Sequence, residues 1–275
     1  MTSADGATLH LQWWPLASPE RARGTVLLVH GLGEHVGRYG HVAARLNDWG
    51  WQVVGHDQRG HGRSDGARGV LPAGDTLLRD LSQLIDRVRA TRPGPLVLLG
   101  HSMGGLVAAR FVAGSGAAWH RAVDGLVLSS PALDAGLSPL QKGLLALLGR
   151  PAPDLAVGNG LKAQWLSHDA AVVQAYIDDP LVHDRITPRL VKFIVDGART
   201  VFEQAPRWPL PTLLVYAGAD RCVAPAGSAA FVTAVPAARL THQAFASMYH
   251  EIFNEPDNEA VFAALEAWLA RFAVV

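Results

Sequence analysis

Pro95-Leu-Val-Leu-Leu-Gly-His-Ser102-Met-Gly-Gly-Leu-Val-Ala-Ala-Arg-Phe-Val112 changes character at its centre. Leu96 to Leu99 form a short continuous apolar run, the pattern of a strand buried on both faces. Leu106 to Val112 read as a helix. The two are joined by Gly100-His-Ser102-Met-Gly104, a Gly-x-Ser-x-Gly turn. A strand, a sharp strained turn and a helix lift a serine hydroxyl above the edge of a sheet, and Gly104-Gly105 lets the helix start pack closely. Ser102 is therefore the candidate nucleophile. A second copy of the pattern, Gly62-Arg-Ser64-Asp-Gly66, lies between polar glycine-rich loops, so Ser64 reads as a loop residue.

Outward from this turn the same alternation repeats. Thr25–His30, Trp51–Val54, Leu126–Leu128 and Thr212–Tyr216 are apolar runs bounded by Gly, Pro or Asp. Helical spacing separates them, as in Leu77, Leu78, Leu81, Leu84, Ile85 and Val88, and again in Val261 to Phe272. This order predicts an α/β fold with a mostly parallel, doubly wound sheet and right-handed crossovers. A strand around Leu9–Trp14 is expected at its edge. The alternation stops after Pro131, no strand-like run follows, and strand character resumes at Pro211. Residues 134–208 are therefore read as a helical cap inserted into a core of 1–133 and 209–275. Such a cap would lie over the carboxyl edge of the sheet, where open α/β sheets bind ligands.

Composition narrows the function. Lys and Arg number 24 against 24 Asp and Glu, which gives no electrostatic reason to bind nucleic acid or an anionic membrane. With 17% charged and 49% apolar residues, the chain is not of the disordered class. The single cysteine, Cys222, allows no intramolecular disulfide and no Cys-x-x-Cys zinc spacing. It reads as a small apolar group, with a place near the site as the competing reading. The start of the chain does not read as a signal peptide, and no apolar run approaches the length of a membrane span. A cytoplasmic location is expected; oligomeric state is not legible.

A serine hydroxyl needs a base, and the base needs an orienting group. With this kind of turn the chain order is nucleophile, acid, base. Asp220 is the aspartate after Ser102 that ends a parallel strand, which makes it the candidate acid. Two histidines follow. His242 falls inside a strand-like stretch, whereas His250 sits in the loop before the last helix and is the candidate base. The oxyanion hole is assigned to the backbone N–H groups of Met103, after the nucleophile, and Leu32, in the loop His30-Gly-Leu-Gly33. His30, His35, His56, His61 and His101 crowd the first half, but their spacings complete no metal site, and loop hydrogen bonding is expected of them. There is no Gly-Lys-Ser/Thr and no Gly-x-Gly-x-x-Gly opening a helix. Neither metal nor cofactor is expected.

The chain resembles the monoacylglycerol lipase and lysophospholipase group of α/β-hydrolases. The resemblance is carried by His30-Gly-Leu-Gly-Glu-His-Val-Gly-Arg-Tyr39, Gly55–Gly66, Gly100-His-Ser-Met-Gly-Gly105, Gly218-Ala-Asp220 and Tyr249-His-Glu-Ile-Phe-Asn-Glu255. Leu166-Ser-His-Asp169 and Asp179-Pro-Leu-Val182 extend it into the cap. It implies the α/β-hydrolase fold and cofactor-free hydrolysis of lipid-like carboxylic esters, with the nucleophile, acid and base on Ser102, Asp220 and His250. Leu32 stands where relatives often have Ala, which narrows the pocket but keeps the donor. The Leu-rich stretch 137–148 reads as a lid that admits an acyl chain or makes transient contact with a lipid surface, or as a helix packed on the core. That run, with Ile177, Phe193 and Ile194, predicts a pocket for medium or long acyl groups. Alternatives on the same fold are a thioesterase, aminopeptidase or perhydrolase, or a receptor without turnover.

Overall fold

The computed structural model describes residues 1–134, 136 and 151–272. The Leu-rich stretch 137–148 lies outside the described residues. A seven-stranded sheet organises the rest. Its strands are β1 (Leu11–Trp14), β2 (Gly24–Val29), β3 (Trp51–His56), β4 (Leu96–His101), β5 (Gly125–Ser129), β8 (Thr212–Ala217) and β9 (Leu240–Phe245). Their order is β1-β3-β2-β4-β5-β8-β9. Only β1 runs antiparallel, paired with β3 at the edge; every other pairing is parallel. The expected mostly parallel, doubly wound sheet is what the chain forms.

Residues of the central strands alternate between two apolar layers. Along β2, Leu27 and Val29 join Leu78 and Leu81 of α2 (Thr76–Thr91) and Leu106 of α3 (Met103–Ala113). Val26 and Leu28 face the other way, towards Val42 and Leu46 of α1 (Gly40–Asp48) and Val261 and Leu265 of α7 (Glu259–Leu269). Burying both faces is why these strands read as continuous apolar runs. The chain passes from β2 to β3 on one side, then returns to β4 on the other. The loops after β2 and β4 therefore part at the switch point and leave a crevice at the carboxyl edge. Pairing of Val29 with Gly100 sets the loop at His30 beside Ser102.

Between β5 and β8 the described chain holds α4 (Ala170–Asp178) and α5 (Pro188–Gln204); α6 (Pro225–Ala234) follows β8. Contrary to the expectation of no strand there, β6 (Val157–Gly158) and β7 (Arg185–Ile186) form a two-residue antiparallel ribbon. Two residues are too few to write an alternation into the sequence. Helix α5 buries Leu190, Phe193, Ile194 and Val201 in the same apolar layer as α3. Gly197 allows that approach, since a Cβ there would sit 3.1 Å from Arg110 Cδ.

Candidate active site

The turn after β4 puts Ser102 at φ 54°, ψ −122°, a backbone state costly for a residue with a Cβ. Two glycines make the turn sterically feasible. A Cβ on Gly104 would lie 2.0 Å from the Val29 carbonyl oxygen, and one on Gly100 2.4 Å from that of Gly104. Helix α3 then starts at Met103, so its first N–H groups, and the positive end of its dipole, are free for a developing anion.

The loop that holds the candidate oxyanion donor Leu32 is shaped by a carboxylate. Glu34 is buried and accepts the Gly31 N–H at 2.6 Å and the Tyr39 hydroxyl at 2.7 Å. With Gly31 committed, the next amide, Leu32, has no protein acceptor among the described residues. Gly33 follows at φ 78°, and its carbonyl accepts the His183 N–H at 2.8 Å.

The candidate acid and the candidate base meet beyond β8 and β9. His250 Nδ1 lies 2.7 Å from Asp220 Oδ2, with both side chains at most 5% exposed. The other Asp220 oxygen accepts the N–H groups of Cys222 at 2.7 Å and Val223 at 3.1 Å, so the carboxylate is held from both ends. Nδ1–H donated to Asp220 leaves Nε2 with its lone pair, and Nε2 has no partner among the described residues. His101 packs against the His250 ring at 4.7 Å between centroids, and burial lowers its own pKa to about 4, so it stays neutral beside the base. Ser102 and His250 line one hollow, and Ser102 and Asp220 line another. No hydrogen bond joins the Ser102 hydroxyl to His250 among the described residues, and such contacts often tighten only when substrate arrives.

Sequence reasoning missed a buried ion network behind this site. Arg38 reaches Glu251 with two bonds, 2.6 and 2.8 Å, and Glu34 with one at 2.9 Å. Burial opposes the Glu251 charge, but Arg38 overrides it and holds that carboxyl well below the usual range. The Arg38 guanidinium also lies over the Tyr176 ring of α4 at 4.8 Å. One cation thus ties the oxyanion loop, the residue after His250 and the insertion together.

The motif text in the insertion has a structural partner. His250 and Glu251 donate their N–H groups to the carbonyls of Trp165 and Leu166. Ser167 Oγ donates to Asn254 O, and Glu255 accepts from the His168 and Tyr249 N–H groups. Asp179 meets His35 Nε2 at 2.7 Å. Leu166–Asp169 and Tyr249–Glu255 are two sides of one seam.

Between these parts lies a cavity of about 450 Å³, in the range of ligand pockets. Leu32, Met103, Ile186, Ile194 and Val223 give it apolar walls, and Asp220 is its one lining carboxylate among the described residues. Of the three residues expected to line an acyl pocket, only Ile194 does. Phe193 turns into the core under Arg110, and Ile177 is 53% exposed. Helical periodicity could not tell the two faces of these helices apart. Burial pushes the Cys222 thiol up, with Asp220 and Glu251 adding to it, so this side chain is no ready nucleophile.

Ser64 is a structural residue: its hydroxyl donates to Asp57 O and accepts the His10 N–H at 2.9 Å. His30 bonds Gly31 O and accepts the Gln58 N–H, and His61 bonds Arg59 O. His242 is exposed on β9.

Known proteins resemble this chain in sequence and fold. A family model described as serine aminopeptidase, S33, matches residues 20–257. The monoacylglycerol lipase of Mycolicibacterium smegmatis is 35% identical over 94% of this chain and 90% of its own length. Monoglyceride lipase of Rattus norvegicus is 30% identical over all of this chain and 91% of its own. The crystal structure of Paleococcus ferrophilus monoacylglycerol lipase superposes with a TM-score of 0.86 at 33% identity, covering 97% of this chain and 100% of the other. By fold, family model and relatives alike, the chain belongs to the α/β-hydrolases of the serine aminopeptidase S33 family.

Proposed function

We propose that the protein is a serine hydrolase of lipid-like carboxylic esters, of the monoacylglycerol or lysophospholipid type. The observation that carries this reading is the Asp220–His250 bond beside a cavity that also contains Ser102. Ser102 Oγ attacks the ester carbonyl while His250 Nε2 takes its proton, and Asp220 stabilises the resulting imidazolium. The oxyanion is met by the Leu32 and Met103 N–H groups. Collapse expels the alcohol, to which His250 returns the proton. Water activated by His250 then releases the acid and restores Ser102. The chemistry calls for no cofactor.

The apolar walls supplied by Leu32, Ile186 and Ile194 suit an acyl chain. An aminopeptidase must seat a protonated amine, but the carboxylate lining the cavity is committed to His250, and Glu34 and Glu251, which line the hollow shared by Ser102 and His250, are paired with Arg38. That favours the ester reading over the activity in the family model's description. Residues 134–208 act as a cap over the carboxyl edge of the sheet that makes transient contact with a lipid surface. No helix among the described residues is long and apolar enough to cross a membrane, and we assign the protein to the cytoplasm. A chain-length series of monoacylglycerols and aryl esters tests the substrate class: kcat/KM should rise from acetyl to medium and long acyl groups. A steep preference for acetate would overturn the acyl-pocket assignment.

A further inference from the structure

The sequence has one cysteine and no zinc-like spacing, yet the fold gathers three kinds of metal donor at one point. Cys222 Sγ, a carboxylate oxygen of Asp220 and a ring nitrogen of His250 all lie within 4.8 Å of one another, the one such group among the described residues. Two separate loops deliver them. The turn after β8 fixes Asp220 and Cys222 relative to each other through the Cys222 N–H bond to Asp220 Oδ1, and the loop after β9 brings His250. Cys222 and Asp220 open onto the 450 Å³ cavity, so an ion can reach them from solvent. The nearest partner of Sγ is the Trp165 carbonyl at 3.9 Å, a weak contact that is readily given up.

We propose that this corner takes a thiophilic divalent cation of the zinc class, and that its binding shuts the active site off. The inhibitory consequence rests on the serine-hydrolase reading above; the binding itself does not. Sulfur, nitrogen and oxygen together match zinc-like ions, whereas magnesium and calcium require oxygen cages. Zinc-to-ligand lengths of about 2.0 to 2.3 Å imply ligand-to-ligand spacings of about 3.5 Å, so the half-buried Cys222 sulfur closes in by roughly 1 Å, while the Asp220–His250 pair, 2.7 Å apart at Nδ1, opens to admit an ion there. The ion replaces the thiol proton, which leaves to solvent. The imidazole gives a lone pair, the carboxylate an oxygen, and the fourth tetrahedral position is left to water. Either ring nitrogen serves the inhibition. Binding at Nδ1 breaks the hydrogen bond to Asp220 and moves the ring proton to Nε2, which then cannot accept from Ser102; binding at Nε2 occupies the lone pair needed by Ser102.

The test is aryl-ester hydrolysis by the full chain across buffered free Zn²⁺, with Mg²⁺ as control and EDTA added back. Each variant is scored against its own metal-free rate. Wild type should lose activity in the micromolar range, recover it with EDTA and ignore Mg²⁺. Cys222→Ala, short of one ligand, should need roughly tenfold more Zn²⁺ or beyond, and Cys222→Ser an intermediate amount. Co²⁺ titration gives a readout independent of turnover: a thiolate-to-metal charge-transfer band in wild type, absent in Cys222→Ala. Equal Zn²⁺ sensitivity in wild type and Cys222→Ala would overturn the proposal by assigning inhibition to other histidines. Absence of the cobalt band in wild type would overturn it as well. If no ester is turned over, the hydrolase reading fails by itself, and the cobalt titration alone decides the metal site.

Discussion

Ser102 carries a strained backbone, φ 54°, in a state that costs about 1–3 kcal/mol. The strain is sustained by Gly100 and Gly104, whose missing Cβ atoms make room for the turn. The tautomer of His250 is set in the same local way, by one Asp220 oxygen while the other holds two amides. Asp220→Asn keeps the shape and the amide contacts, but its NH₂ now faces Nδ1 and stabilises the wrong tautomer. We expect kcat to fall about ten-thousand-fold with the fold intact by circular dichroism. A loss smaller than tenfold would contradict the assignment of Asp220 as the orienting acid. The sequence could nominate these residues because each lies in the loop that follows a parallel strand, where chain order and the carboxyl edge restrict the choice. The expected pairing of Ser102 with His250 depends on two loops from different parts of the sheet, and local spacing carries no information on their separation.

At the scale of elements, the loop at Glu34, the loop at Glu251 and helix α4 are locked to one another by a buried cation. Arg38 faces Glu34 four residues before it and Glu251 at a separation of 213 residues. The sequence shows the motif His30–Tyr39 but not this pairing, because nothing in local spacing connects residues so far apart. Arg38→Met fills similar volume while stranding two buried carboxylates. Breaking a buried pair in this way costs about 3–5 kcal/mol, to be read as a lower denaturant midpoint at neutral pH. An unchanged midpoint would contradict the view that Arg38 is what makes the two acids tolerable there. Strand ends were underestimated for a related reason. Gly55-His56 and Gly100-His101 are not apolar, so the runs seem to stop early, yet the ladder continues through them. Tertiary pairing, not side-chain hydropathy, decides those last residues.

At the scale of the whole molecule, a chain of zero formal charge keeps a set of histidines neutral inside it. Burial lowers the pKa of His30 and His56 to about 3 and of His101 to about 4, and that of His61 well below its ordinary value. The unfolded chain takes up these protons near pH 6.5, before the folded one does. Stability is therefore full above about pH 6.5 and is lost as pH falls below it, by about 1.4 kcal/mol per pH unit for each histidine. Thermal unfolding should show a falling midpoint from pH 7 to pH 5; a flat profile would contradict the buried neutral state. The sequence revealed the histidine crowd but not its burial, which depends on packing between loops. The α/β-hydrolase fold was legible throughout, because buried parallel strands and amphipathic helices leave distinct periods. The short ribbon β6–β7 and the orientation of Ile177 and Phe193 were not. The central claim, that Ser102 is the nucleophile of an ester hydrolase, is tested most directly by fluorophosphonate labelling read by intact mass and peptide mapping. One adduct is expected on Ser102, slowed by a monoacylglycerol, with labelling and ester turnover both lost in Ser102→Ala. Labelling and turnover that persist in Ser102→Ala would contradict it.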